Sequence, residues 1–210
     1  MKDIIVSTKD DFIFKNKLYD EVAIKSVVKK EMDLFIFEEN ILIKKFENIK
    51  KPKEAIIEKI VREEFGDEND ILIHYEHDKK RKKLYLYSMG NGRKVKNIVN
   101  EAKVIRIKPI QFYIKALVES KIKKLRNYII IIELRGIIYS LYIEENFIVK
   151  SFMKNKNEFI LSHELNDLEN GSIVIMSKEV ECIIPEEIKY KIHIIYLEIG
   201  EIINEKIFKV

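Results

Sequence analysis

The chain has one cysteine, three prolines, six glycines and no tryptophan. A lone thiol, Cys182, cannot close an internal disulfide or build a cysteine-based zinc cluster, which suits a reducing compartment. In the context Glu181, Cys182, Ile183, Ile184 it reads as a small core residue. So little proline and glycine excludes a collagen-like or low-complexity chain. No two glycines are adjacent, and the full Walker or Rossmann spacing is missing. Arginine is also scarce, 6 residues against 33 lysines, and the net charge is only +4. Because arginine is the side chain that reads phosphates and base edges bidentately, dedicated nucleic-acid binding is not expected.

Long apolar runs are missing as well. The greasiest stretch, 128–143, holds Glu133, Arg135 and Gly136 at its centre and falls short of the roughly 20 residues of a membrane helix. The N-terminal apolar run ends at Ser7, too early for a signal-peptide core. The expected location is therefore cytoplasmic. What is abundant is isoleucine, 40 of 210 residues, within a composition that is 47% hydrophobic and 35% charged. That balance describes a folded α/β chain with one domain or two small lobes.

Apolar patterning predicts strands at 21–28, 33–37 and 41–46. Pro52 then opens a helix whose Ile56, Ile57, Ile60, Val61 and Phe65 share a face, and Gly66 ends it. Strands follow at 71–75 and 84–87, joined by Lys79, Lys80, Arg81, Lys82 and Lys83. A helix starts near Asn91, a short strand spans 104–107, and Pro109 opens a helix with Ile110, Tyr113, Ile114, Leu117, Val118, Ile122 and Leu125 on one side. The second half reads as strands at 128–134, 137–143 and 147–152, a helix at 157–169 and a strand at 172–176. In the segment from Pro185, Ile188, Ile192, Ile195, Ile199 and Ile202 recur at steps of four and three. That predicts a final helix, with a strand at 189–195 as the alternative. The order of three strands, a helix and a further strand thus recurs: a first lobe 1–126 (βββαββαβα), a second lobe 127–184 (βββαβ), and a C-terminal helix 185–210 packing back on the first lobe.

Few residues suggest chemistry. His74 and His77 lie three apart on a strand, where side chains alternate faces, so they do not converge on one metal. His163 lacks the second histidine of a zincin helix, and His193 sits in an apolar segment. Gly90, Asn91, Gly92, Arg93 and Lys94 resemble an anion loop at a helix start, with Gly90, Gly92 and Arg93 as its candidate cofactor-binding residues, although an ordinary turn is the favoured reading. Paired carboxylates such as Glu63 and Glu64, or Glu144 and Glu145, read as solvated faces, and no Gly-x-Ser-x-Gly nucleophile exists. The run of Lys79, Lys80, Arg81, Lys82 and Lys83, and the cluster of Lys121, Lys123, Lys124 and Arg126, are solvated basic groups capable of peripheral contact with an anionic membrane.

The order of segments resembles a known family. DLFIFEENILIKKFENIKKP precedes the helix KEAIIEKIVREEF; ILIHYE, KLYLYSM, AKVIRIKP and IQFYIKALV follow, then the hairpin YIIIIELRGIIYSLYIEENFIVKSF. This succession is similar to the actin-like assembly-platform proteins of type IV pili and type II secretion, the PilM and GspL cytoplasmic family. The resemblance implies a two-lobed, reduced actin-like (ribonuclease H-like) fold of α/β class with mixed sheets. It implies partners in the cytoplasmic tail of an inner-membrane assembly protein and in the assembly motor ATPase. Actin-like ATPases carry Asp-x-Gly at the turn between the first two strands of each lobe. The corresponding turns are expected here at Val28, Lys29, Lys30, Glu31, Met32 and at Glu133, Leu134, Arg135, Gly136, and neither has the pattern. The expectation is thus a non-catalytic scaffold with no catalytic residues, metal or cofactor. The alternatives are a nucleotide- or small-ligand-dependent enzyme using the 90–94 turn and a basic nucleic-acid-binding module.

Overall fold

The computed structural model describes residues 3–28, 31–66, 70–100, 104–165, 168–180 and 184–208. Strands β1 (Asp3–Ser7), β2 (Phe12–Phe14) and β3 (Lys17–Tyr19) form an antiparallel meander, and β4 (Glu31–Ile36) adds to the free side of β1 in parallel. An inserted unit follows: β5 (Leu42–Phe46), α1 (Glu54–Phe65), β6 (Leu72–Asp78), β7 (Lys83–Met89) and α2 (Gly92–Val99). The chain then returns as β8 (Val104–Pro109), parallel to β4, and α3 (Ile110–Lys121). The resulting sheet runs β3-β2-β1-β4-β8.

The second half repeats this plan. β9 (Tyr128–Leu134), β10 (Ile137–Glu144) and β11 (Phe147–Asn155) make the meander, and α4 (Leu161–Leu165) leads to β12 (Ser172–Ser177), parallel to β9. After α5 (Glu186–Lys189), β13 (Ile192–Leu197) adds in parallel, and α6 (Ile199–Ile203) runs into a π turn, Asn204–Phe208. The order β11-β10-β9-β12-β13 matches that of the first sheet. Local chemistry explains the hairpins. Their two-residue turns are Lys15 with Asn16, Arg135 with Gly136, and Glu145 with Asn146, and every one of these residues has positive φ. Such turns follow the right-handed twist of the strands, and Asn or Gly tolerates the second position.

One core joins the halves. It runs from Ile5, Leu34 and Phe37 through Ile130, Ile132 and Tyr139 to Ile199 and Phe208. β7 is buried on both faces: Leu84 and Leu86 pack under Ile57 of α1, while Tyr85 and Tyr87 turn to the shared core. Tyr85 stacks on Phe147 of the second half at 4.6 Å, and Arg81 reaches Glu145 at 2.7 Å. Among the described residues no helix is long and apolar enough to cross a membrane.

One element of the fold was missed and three expectations need correction. The opening meander, residues 3–19, was not anticipated. Residues 21–28 are not a strand, because Ala23–Val27 form a 3₁₀ turn after Asp20, whose carboxylate accepts from the amides of Val22 and Ala23. Residues 41–46 belong to the inserted sheet β5-β7-β6, not to the first meander. The segment 185–210 is not one helix. It opens on the short α5, its centre is β13, so the second sheet extends past residue 184, and the helical portion that meets the first half is 199–208, where Phe208 lies 5.1 Å from Phe37. Cys182 falls outside the described residues.

Candidate functional site

Three regions of the molecule bear on function. At the carboxyl ends of β1 and β4, the β1–β2 turn is Thr8, Lys9, Asp10 and Asp11. It is closed by the Thr8 amide and hydroxyl, both donating to the Asp11 carbonyl at 2.9 and 3.0 Å. The Lys94 ammonium enters this turn from α2 and donates to the carbonyls of Thr8 (2.9 Å), Lys9 (3.3 Å) and Asp11 (3.2 Å), above the Phe12 ring at 4.6 Å. Lys94 is buried. Loss of solvent lowers its pKa from the ordinary lysine value, against the pull of Glu21, Asp11, Asp10 and Glu39.

Gly90, Gly92 and Arg93 sit beside it. Asn91 is left-handed (φ 67°) and its side-chain Nδ2 donates to Glu39 Oε1 at 2.5 Å. The Gly92 amide donates to the Asp70 carbonyl, and the Arg93 amide donates to Asp70 Oδ1 at 2.7 Å. A Cβ on Gly92 would lie 2.8 Å from the Asp70 and Ile71 backbone, so close approach requires glycine here. The amides that an anion would need are thus bonded to Asp70. Burial pushes the Glu39 carboxyl above its usual range, and Gln111 donates to the Glu39 carbonyl at 2.6 Å.

Across the molecule, Arg135 places its guanidinium 5.0 Å from the Phe208 ring, and Glu179 Oε1 accepts from the Glu201 amide at 3.1 Å. These four residues, with Asn16 and Asn204, line a cleft of about 520 Å³ between the halves.

The third region lies between β6 and the β8–α3 junction. His74, Ile107, Lys108, Pro109, Phe112 and Tyr113 enclose about 300 Å³. The walls are aromatic: His74 stands edge-on to Phe112 at 4.8 Å and stacked with Tyr87 at 5.9 Å, and Tyr87 donates to Glu76 Oε2 at 2.8 Å. Partial loss of solvent against these rings lowers the His74 pKa although the residue is exposed on its outer face, and Glu76 opposes the shift. β8 ends its sheet and β6 ends its own, so among the described residues both strands offer an unpaired edge, with Ile107 38% and Tyr75 45% exposed. Asp33 anchors the floor by pairing with Arg106 and with Lys108 at 2.7 Å. Burial raises its pKa, but those two partners outweigh it and hold the carboxyl below its usual range. Such a groove can bury an extended apolar segment. His77 does not join it, since its Nε2 meets the Ile49 carbonyl at 2.8 Å, and His163 and His193 are exposed elsewhere.

No family model matches the chain, and no curated protein matches it by sequence. Solved structures do match. A protein of unknown function with an actin-like ATPase fold from Bacteroides thetaiotaomicron superposes with a TM-score of 0.55 at 10% identity, over 92% of this chain and 90% of that one. The cytoplasmic domain of EpsL, an inner-membrane component of the Vibrio cholerae type II secretion system, gives 0.54 at 9%, over 97% and 92%. A PilM–PilN type IV pilus biogenesis complex gives 0.56 at 4%, over 87% and 77%. The chain has the actin-like ATPase fold.

In an actin-like fold the two turns expected to carry Asp-x-Gly join the first two strands of each half. The first is therefore not at Val28 to Met32 but at Thr8, Lys9, Asp10 and Asp11, and the second is Arg135 with Gly136. The corrected first turn has carboxylates but no glycine, and a lysine of the same chain sits within it. The aromatic groove escaped sequence reading because Phe112 lies off the apolar stripe of α3. A half-buried aromatic beside that stripe was the available signal.

Proposed function

We propose that this chain is a non-catalytic, cytoplasmic scaffold of a type IV pilus or type II secretion assembly platform. Its groove between β6, β8 and α3 receives the cytoplasmic tail of a small inner-membrane component, and the assembly motor ATPase is a further partner of the same platform. The observation that carries this reading is an aromatic groove flanked by two unpaired strand edges, on a fold whose solved neighbours include a secretion-system cytoplasmic domain and a PilM–PilN complex. An extended tail can add backbone hydrogen bonds to an open strand and seat alternate apolar side chains in the groove.

The test is fluorescence anisotropy with labelled N-terminal peptides of the small membrane proteins encoded beside this chain. An apolar tail should bind, and Phe112→Ala or Ile107→Asp should weaken it about tenfold, the effect of losing one well-packed apolar contact. Binding unchanged in both variants would remove the groove from the reading, and no binding by any such tail would remove the scaffold itself.

A further inference from the structure

The basic clusters of the sequence lie far apart along the chain, yet the fold gathers them. The β6–β7 turn presents Lys79, Lys80 and Lys82, all exposed. Against it lies the 48–53 loop, whose Ile49 amide donates to the Lys82 carbonyl at 2.8 Å and which carries exposed Lys50, Lys51 and Lys53. On the other side, Glu145 at the tip of β10–β11 takes Arg81 at 2.7 Å and Arg126 at 3.7 Å, bringing in exposed Lys123 and Lys124. The carboxylates in this region are largely committed: Asp78 to Arg81, Glu145 to both arginines, and Glu47 to Lys45. Glu54 and Glu144 remain at the margin. The lysines of these three segments have no ion pair among the described residues. On the 48–53 side of this face opens an apolar notch of about 470 Å³, lined by Asn48, Ile49, Lys50, Lys51 and Ile56, with Ile56 39% exposed.

We propose that this face docks on an anionic lipid bilayer. Three gathered segments of unpaired lysine, one of them lining an apolar notch, match a surface that combines diffuse negative charge with acyl chains. Nucleic acid fits less well. Its readers use arginine forks and stacking aromatics, whereas the unpaired cations here are lysines, Arg81 and Arg126 are held by Glu145, and the notch is lined by isoleucine, lysine and asparagine with no aromatic ring. The face is distinct from the groove at Phe112, so a tail and a membrane can be engaged together.

Vesicle flotation tests this with the full chain. Vesicles containing about 30% phosphatidylglycerol at about 0.15 M salt should carry the protein, whereas pure phosphatidylcholine vesicles should not. Replacing Lys79 with Lys80, Lys50 with Lys51, or Lys123 with Lys124 by asparagine should weaken binding about thirtyfold per pair, and the effects should accumulate. Ile56→Ser, which keeps every charge, should also weaken vesicle binding but leave any residual DNA binding unchanged. Each variant is checked by its thermal melt. No flotation with anionic vesicles, flotation untouched by all three pairs, or preferential binding of duplex DNA at the same salt would each overturn the proposal.

Discussion

Glu39 and Glu179 hold corresponding stations in the two halves of the molecule. Each follows the fourth strand of its sheet, and each is met by the first turn of the helix that follows the fifth: Gln111 of α3 donates to the Glu39 carbonyl, and the Glu201 amide of α6 donates to the Glu179 carboxylate. α3 and α6 pack on one another, so the two stations tie the fourth strands to the helix pair at the centre of the fold.

The first prediction concerns Glu39. Its carboxyl is pushed up by burial, so the native state holds its proton more tightly than the unfolded state does. That contribution is present below the unfolded carboxylate range and is lost as pH rises through the folded value. Glu39→Gln keeps an acceptor for Asn91 and should be neutral or stabilising by about 0.5–1 kcal/mol at pH 7. Asp33 has the opposite sign, with stability present at neutral pH and lost on acidification through its lowered value, so Asp33→Asn should flatten the acid limb. Chemical denaturation between about pH 3 and 7 measures both.

Gly92→Ala should destabilise the chain by about 1–3 kcal/mol, because a Cβ there meets the Asp70 and Ile71 backbone. Differential scanning fluorimetry should show a fall of several degrees. Magnesium ATP should raise the melting temperature of neither protein. A rise in the parent chain that is lost in Gly92→Ala would favour an enzyme using the 90–94 turn.

The C-terminal turn clamps the halves. Phe208 is buried against Phe37 and beneath Arg135. Phe208→Ala should cost about 3–5 kcal/mol. Tyr139→Phe, which removes the acceptor of the Glu38 amide at 3.1 Å, should cost about 1 kcal/mol. Urea unfolding read by tyrosine fluorescence distinguishes the two magnitudes.

His74 makes the groove sensitive to acid. Its lowered pKa keeps it neutral at pH 7, and protonation below its folded value puts charge against Phe112 and Tyr87. Affinity for an apolar tail should therefore fall on acidification toward about pH 5. His74→Phe should abolish that pH dependence in anisotropy titrations, and a variant that retains it would assign the effect to another group.

Much of the architecture was legible where strands are long and buried. Residues 128–134 are continuous β-branched sequence, and the helix from Pro109 shows an unbroken stripe. The first meander was not legible, because β2 and β3 are three residues each and too short for a period to appear. The run at 21–28 is apolar enough for a strand, yet Val22 is 79% exposed and only Ile24 is core. At the C-terminus, isoleucines every three or four residues imitated one helix. They divide among α5, β13 and α6, a coincidence that a chain with 40 isoleucines readily produces. The groove needs residues 74, 107 and 112 to meet across a chain reversal, which local pattern does not encode.

The ammonium of Lys94 gives the first turn a cation that cannot diffuse away. A free ion competing for the same three carbonyls meets a tethered rival whose effective concentration is on the order of millimolar or higher. The shape of that turn should therefore depend little on the ionic composition of its surroundings.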